Sequence, residues 1–385
     1  MSRVVIEKCA DYQYENVKEV IKSLFDSLGG IEKYVKKGTK VVLKPNLIMK
    51  KRPEEAATTH PTIIQAVSEM VINAGGTVTI ADSPGGLYSE KRLKGVYSAC
   101  GAEKAAKNSG ARLNFDLDEV DIPVPGGKYL KRVTVIKPLV DADVIINLPK
   151  LKSHGQMIYT GAVKNMFGAV PGALKAEYHL RMPKYEEFAD ALIDIFLSVK
   201  PHINIMDAVV GMEGKGPTAG NPIKTGAILA GENAFELDFA ALKIIDANPM
   251  DIPIINNAVK RGLCTKDFNT IDLKGEEIEK LKVHDFNLPQ VGALKVIEFF
   301  DKGILNVLMN SLKPKPVFNH KICVGCSDCA KSCPAGIIVM KDKKPHVDLT
   351  KCIRCFCCQE LCPAKAVDIK RPAITKLIFK KKKKV

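Results

Sequence analysis

Two hydrophobic rhythms alternate along this chain. Short runs that are apolar throughout, or nearly so, occur at 4–9 (VVIEKC), 40–47 (KVVLKPNL), 77–80 (TVTI), 133–139 (VTVIKPL), 141–147 (DADVIIN), 203–207 (INIMD) and 226–231 (GAILAG). Between them, at 15–29, 61–76, 184–199 and 234–246, apolar residues return every three or four positions, the period of an amphipathic helix. The segment 61–76 opens on Pro61 and closes on Gly76, the end residues a helix prefers. Apolar strands separated by helices predict an α/β fold with a largely parallel, doubly wound sheet over residues 1–290. An amphipathic linking helix is expected within 291–315, because Lys295, Glu298, Asp301 and Lys302 interrupt its apolar run. A small α+β unit follows at 316–372, then a basic tail at 373–385.

Composition adds little to this until the charge is mapped. With 46% hydrophobic residues and a mean hydropathy near zero, the 385 residues read as soluble and globular. No apolar run reaches the roughly 18 residues that span a bilayer, and the N-terminus enters a strand pattern without a signal peptide, so a cytoplasmic location is expected. The formal charge is +15, and eight basic residues with no acidic ones lie from Lys370 onward. That tail reads as solvated, with attraction to a membrane surface or to nucleic acid as the competing reading. Six per cent aromatic residues and no Trp leave little for stacking on bases.

Nine of the twelve cysteines lie between 323 and 362, a clustering that argues for metal and not for disulfides. CVGCSDCAKSCP (323–334) and CIRCFCCQELCP (352–363) are two copies of C-x2-C-x2-C-x3-C-P, each cysteine recurring 29 positions later. Paired C-x2-C motifs also bind zinc, but the repeated C-x3-C-P ending argues against it. The pattern closely resembles a bacterial-type ferredoxin with two [4Fe–4S] clusters. In such domains the fourth cysteine of each run crosses to the other cluster. On that rule Cys323, Cys326, Cys329 and Cys362 hold cluster one, and Cys352, Cys355, Cys358 and Cys333 hold cluster two. Cys357 is an extra cysteine with no assigned ligand role, and Cys9, Cys100 and Cys264 read as small buried hydrophobes.

In doubly wound sheets ligands bind beyond the carboxyl ends of the strands. Four such ends are polar here: Lys44 and Asn46; Asp82 and Ser83; Lys150, Lys152, Ser153 and His154; Asp207 and Glu213 with a glycine-rich stretch to 222. The segment 160–179 adds Lys164, Asn165, Lys175 and His179. Singly, each lysine reads as solvated, Asp82 and Asp207 as turn or cap residues, and His60 as structural. Together they suggest a site for an anionic small molecule bearing phosphate or carboxylate. His154 is the leading proton donor, because a histidine titrates near neutrality, and His179 the second. Asp82, Asp207 and Glu213 are the candidates to orient groups or hold a divalent metal.

The motifs KPNL, THPT, ADSPGG, PKLKSH, VKNMFGAVPG and DAVVGMEGKGPTAGNP resemble the family of uncharacterised iron–sulfur centre proteins, domain of unknown function 362. That resemblance covers most of 1–290, and fusion to a ferredoxin unit is frequent in the family. It implies an α/β core and [4Fe–4S] electron transfer, without a particular reaction. Three functions compete. One is an oxidoreductase passing low-potential electrons to the anion, supplied by a redox partner protein or other low-potential donor in an anaerobic setting. Another is a non-catalytic electron carrier whose large domain docks a partner enzyme. The third is an iron–sulfur protein steered to membrane or nucleic acid by its tail.

Overall fold

In the computed structural model, residues 3–172, 174–289 and 313–370 are described. The linking helix expected at 293–312 and the tail at 373–385 fall outside them. The strands of the large domain are β1 (Arg3–Lys8), β2 (Lys40–Pro45), β3 (Thr77–Ile80), β4 (Arg112–Leu113), β5 (Glu119–Pro123), β6 (Arg132–Ile136), β7 (Val144–Leu148), β8 (Lys150–His154), β9 (Ile158–Thr160), β10 (Ile203–Glu213), β11 (Asn221–Gly231) and β12 (Asp272–Gly275). The main sheet runs β12-β1-β11-β10-β7-β2-β3-β4, with β8 and β9 attached beside β10. From β10 through β7, β2 and β3 to β4 every pairing is parallel. The far edge is mixed: β11 lies antiparallel to both β10 and β1.

The sheet is buried on both faces, as its apolar strands require. Side chains alternate between two cores: Val42 enters one, Val41 and Leu43 the other, and Ile145 is likewise opposed by Val144 and Ile146. Each such side chain contributes about 1.5–3 kcal/mol by leaving water. Helices α1 (Tyr14–Ser27), α2 (Pro61–Asn73), α3 (Glu90–Ala99) and α4 (Ala102–Ser109) supply one core. The other takes α5 (Ala162–Asn165), α7 (Tyr185–Val199) and α8 (Ala234–Ile244), with α6 (Leu174–Arg181) packed at its margin. At the start of α2, Pro61 takes the first position and His60 Nδ1 accepts the Thr62 N–H, so His60 acts as a cap.

Three expectations change. The segment 206–222 is no loop after a short strand; β10 continues to Glu213 and turns back into β11. The stretch 150–154, expected as the polar end of the preceding strand, is itself a wholly buried strand, β8. The run at 133–139 forms a two-stranded sheet, β5 with β6, apart from the main sheet.

The C-terminal lobe contains β13 (Lys315–Phe318), β14 (Ile338–Lys341), β15 (Lys344–Val347) and β16 (Val367–Lys370), paired β13 with β16 and β14 with β15. Short helices span Asp328–Lys331 and Cys357–Glu360. Strands, helices and the left-handed residues Ser327 and Phe356 before each helix all repeat at the 29-residue offset of the cysteines. The lobe rests on the large domain through a Lys215–Asp368 ion pair at 2.6 Å, the Thr218 hydroxyl donating to Glu360 O at 2.7 Å, and Gln359 Nε2 donating to Lys215 O at 2.9 Å.

Asp207 on β10 faces Lys150 on β8, with their charged groups 2.8 Å apart and both side chains essentially inaccessible. Tyr12 OH donates to Asp207 at 2.7 Å and accepts from Lys150 at 2.8 Å, closing the set. Removing one member strands the other charge in a low dielectric, a loss of about 3–5 kcal/mol. Asp207→Asn should therefore lower stability by about that amount in urea unfolding. Lys150→Met added to Asp207→Asn should recover more than half of it, because the stranded ammonium is gone. Equal losses in the single and double variants would show that the ion pair is not what the site depends on.

Candidate functional site

From β2 the chain proceeds outward one way to β3 and β4, and the other way to β7 and β10, so the order reverses between β2 and β7. The carboxyl ends at such a switch point diverge and leave a crevice. Lys44 ends β2 there, and Asp82 follows β3 alongside it. Lys44 Nζ pairs with Asp82 Oδ1 at 2.7 Å and donates to Asn165 Oδ1 at 3.2 Å and to Pro45 O at 2.9 Å. Asp82 Oδ2 accepts the Leu47 N–H at 2.8 Å. Asn165 links this pair to the sheet, donating to Asn147 Oδ1 at 2.7 Å, and Asn147 donates in turn to Asn204 at 2.8 Å. Gly168 has to be glycine: a Cβ would lie 2.2 Å from Asp82 Oδ1 and 2.5 Å from Lys44 Nζ.

Above this floor lies a cavity of about 470 Å³ whose roof is the C-terminal lobe, a size suited to a small molecule. Lys152, Lys164, Lys175 and Arg92 bring positive charge into it. Lys152 Nζ donates to Asn46 Oδ1 at 2.8 Å and Ala57 O at 2.7 Å but touches no carboxylate. Burial, and then Lys164, hold its pKa well below the ordinary lysine value. Lys164 has no hydrogen bond or ion pair among the described residues, and lies 5.7 Å from the centre of the Phe167 ring. Burial lowers its pKa, opposed by Glu360 and Cys357. Lys175 donates to Ser83 O at 2.7 Å and Ser83 Oγ at 3.1 Å, and burial pushes it down to about 7 against the pull of Asp82.

His154 and His179 reach the same cavity. His154 Nδ1 accepts the backbone N–H groups of Gln156 and Met157, both at 3.1 Å, which leaves the ring proton on Nε2. Nε2 lies 3.0 Å from Glu360 Oε1, but neither atom has an aligned hydrogen bond. Burial and Lys164 push His154 down to about 4, and burial takes His179 to about 3. Both rings are therefore neutral at pH 7, and the expected titration near neutrality is not met. Burial opposes ionisation of Glu360, yet His154, Lys164 and His179 hold its carboxyl down to about 2.

Lys44, Asn46, Asp82, Ser83, Lys152, His154, Lys164, Asn165, Lys175 and His179 thus meet at one cavity, drawn from four separate segments. Lys150 and Asp207 are elsewhere, locked together under Tyr12. Ser153 Oγ donates to Gly214 O at 3.1 Å and accepts the Gly216 N–H at 3.2 Å, tying down the β10–β11 turn. Glu213 accepts the Asn287 N–H at 2.7 Å. Asp82, Asp207 and Glu213 do not converge, and among the described residues no three His, Cys, Asp or Glu side chains gather around a single-ion site. Arg92 and the whole roof, including Asp328, Lys331, Cys357 and Glu360, escaped the sequence reading. Asp238 did too: buried, it accepts the N–H groups of Ala162 and Val163 at 2.6 and 3.1 Å and so sets the start of α5, which carries Lys164.

The cysteines form two separate sets. Cys323, Cys326, Cys329 and Cys362 line one small void, and Cys333, Cys352, Cys355 and Cys358 line another. Four thiolates around a void, without a point of close convergence, fit a multi-iron cluster better than one zinc ion. The residues present fit the group their spacing implies.

Comparison with known proteins agrees with this two-part design. Residues 41–243 match the family described as Domain of unknown function (DUF362), and residues 315–363 match the 4Fe-4S dicluster domain. The thylakoid-associated protein sll1697 of Synechocystis sp. is 32% identical over 320 residues, which are 80% of this chain and 93% of that protein. Two solved structures are remote: the lactate racemase apoprotein from Thermoanaerobacterium thermosaccharolyticum (TM-score 0.39, 11% identity, 62% of this chain) and a structural-genomics protein from Thermotoga maritima (TM-score 0.35, 13% identity, 58% of this chain). The aligned part spans 55% and 56% of those two chains, and likeness at that level carries no argument about function. No helix among the described residues is long and apolar enough to cross a membrane.

Proposed function

The chain belongs to the DUF362 family and carries a 4Fe-4S dicluster domain, and from that premise we propose that it is an iron–sulfur oxidoreductase passing low-potential electrons to an anionic substrate in the roofed cavity. One observation carries this reading: the helix Cys357–Glu360 turns Cys358 toward a four-cysteine void and Cys357 and Glu360 toward the cavity. Substrate and cysteine set are separated by the thickness of a single helix. Bound [4Fe–4S] clusters would supply single electrons at low potential. A cytoplasmic, anaerobic setting and an external low-potential donor protein belong to the same reading.

The side chains divide the remaining work. Lys164, Lys152 and Arg92 bind the anion, which relieves the cost of burying their charges. His154, neutral with its proton on Nε2, orients the substrate as a hydrogen-bond donor. Lys175, with a pKa of about 7, is the group best poised to give up a proton at neutral pH. The lobe above excludes water, which strengthens each of these interactions.

Two outcomes are expected. Sulfate, whose charge is constant from pH 6 to 9, should bind with affinity that falls as pH rises through about 7. Lys175 is charged below that value and neutral above it, and both histidines are already neutral. The loss approaches tenfold per pH unit for one linked proton, and isothermal titration in wild type and Lys175→Met measures it. An unchanged slope in Lys175→Met would assign the titration elsewhere.

Secondly, the reduced protein mixed anaerobically with the small-molecule fraction of cell extract should be reoxidised, as read from its visible Fe–S absorbance. Lys164→Ala, with its iron content intact, should slow reoxidation by at least tenfold. Reoxidation by a co-purified protein alone, indifferent to Lys164, would make the chain a carrier.

A further inference from the structure

The cavity is related to the internal repeat in a way that neither half shows alone. Asp328, Lys331 and Ser332 line it from the first repeat; Cys357, Glu360 and Leu361 line it from the second. These are the same three positions, each pair 29 residues apart, on helices that are themselves equivalent. The two cysteine-lined voids repeat in the same way: Phe318, Val324 and Ser327 on one match Val347, Ile353 and Phe356 on the other. The pairing of β13 with β16 and of β14 with β15 exchanges first and last strands between the repeats, as a pseudo-two-fold axis requires. Both helices turn their matching faces to one cavity, so that axis passes through it.

The floor is arranged to match. Arg92 faces Asp328 of the first repeat, and Lys164 faces Glu360 and Cys357 of the second. Arg92 Nε is buried without a hydrogen-bond partner, and Lys164 has no ion pair or hydrogen bond among the described residues. Lys175 lines the same cavity, within electrostatic reach of both. Neither cation makes an ion pair with the roof carboxylate it senses among the described residues, so two cations with unspent hydrogen-bonding capacity, one under each repeat, suit two anionic groups better than one.

Resting on the oxidoreductase reading above, we propose that the cavity takes a two-headed anion, such as a dicarboxylate, lying across the pseudo-two-fold axis with one acidic group at Arg92 and the other at Lys164. The ligand then touches both cysteine repeats. The two cluster sites stand on either side of one substrate, in place of a wire in which one cluster lies behind the other.

The holoprotein tests this with linear dicarboxylates from malonate to adipate, each compared with the monocarboxylate of the same chain length. By isothermal titration, at least one dicarboxylate should bind tenfold or more tightly than its monocarboxylate, and R92Q and K164Q should each abolish that advantage. Redox titration followed by EPR gives a second reading. Arg92→Gln and Lys164→Gln should each move a different one of the two reduction waves to more negative potential, since each removes a positive charge near one site. The bound dicarboxylate should move both. A dicarboxylate that binds no better than its monocarboxylate, or both substitutions acting on one wave, overturns the two-headed placement. Failure of sulfate and of every carboxylate to bind overturns the anionic site itself.

Discussion

Burying ammonium groups without matching carboxylates is the constraint around which this molecule is organised. An isolated charge moved into a protein interior costs several kcal/mol even after relaxation. Lys44, Lys150 and Lys152 are buried and Lys164 is half-buried at the cavity, and these four are handled in two ways. Lys44 and Lys150 each receive a carboxylate at 2.7–2.8 Å and are finished as structural groups. Lys152 and Lys164 receive none from their own domain. A fold that spends stability on uncompensated charge retains it where a ligand completes the site, and both of these lysines line the cavity.

The C-terminal lobe is the other half of that balance. It brings Glu360 to within 3.0 Å of His154 and places Asp328 opposite Arg92, so the roof supplies the negative charge that the floor lacks. The carboxyl of Glu360 is held low because the cations beneath it gain more from its charge than burial costs. Electrostatics and packing therefore dock the lobe on the same surface, next to the Lys215–Asp368 and Thr218–Glu360 contacts. One four-cysteine set and the cavity lining share one wall as a result.

Much of this was legible in the residues, for identifiable reasons. Unbroken apolar strands announced a two-faced sheet because a strand buried on both sides cannot alternate. The cysteine spacing announced its own partition, and the two voids divide the eight cysteines as the crossover rule does. Lys44, Asp82 and Lys152 were readable as a candidate site because strand ends at a switch point converge. Lys150 misled: from the sequence, a lysine beside Lys152 and His154 looks like its neighbours. Only the pairing of β8 with β10 brings Asp207 opposite it. The roof was illegible for a different reason. Glu360 and Asp328 sit between cysteines whose spacing explains the segment completely, leaving no residual signal that the helix has a second face.

The duplication supplies the reason for that second face. In two copies of one unit related by a pseudo-two-fold axis, whatever the first turns toward the axis the second turns toward it as well. Residues free of ligand duty at equivalent positions then diverge, and here they have: Asp328 against Cys357, Lys331 against Glu360. Only Lys331 against Glu360 reverses sign, while Asp328 is matched by the thiol of Cys357, so the roof is symmetric in shape and asymmetric in charge. The floor below is not duplicated and answers each side separately, with Arg92 on one and Lys164 on the other. A ligand with two unlike ends would sit equally well in either of two orientations beneath a fully symmetric roof. The unequal charges of the two halves distinguish those orientations.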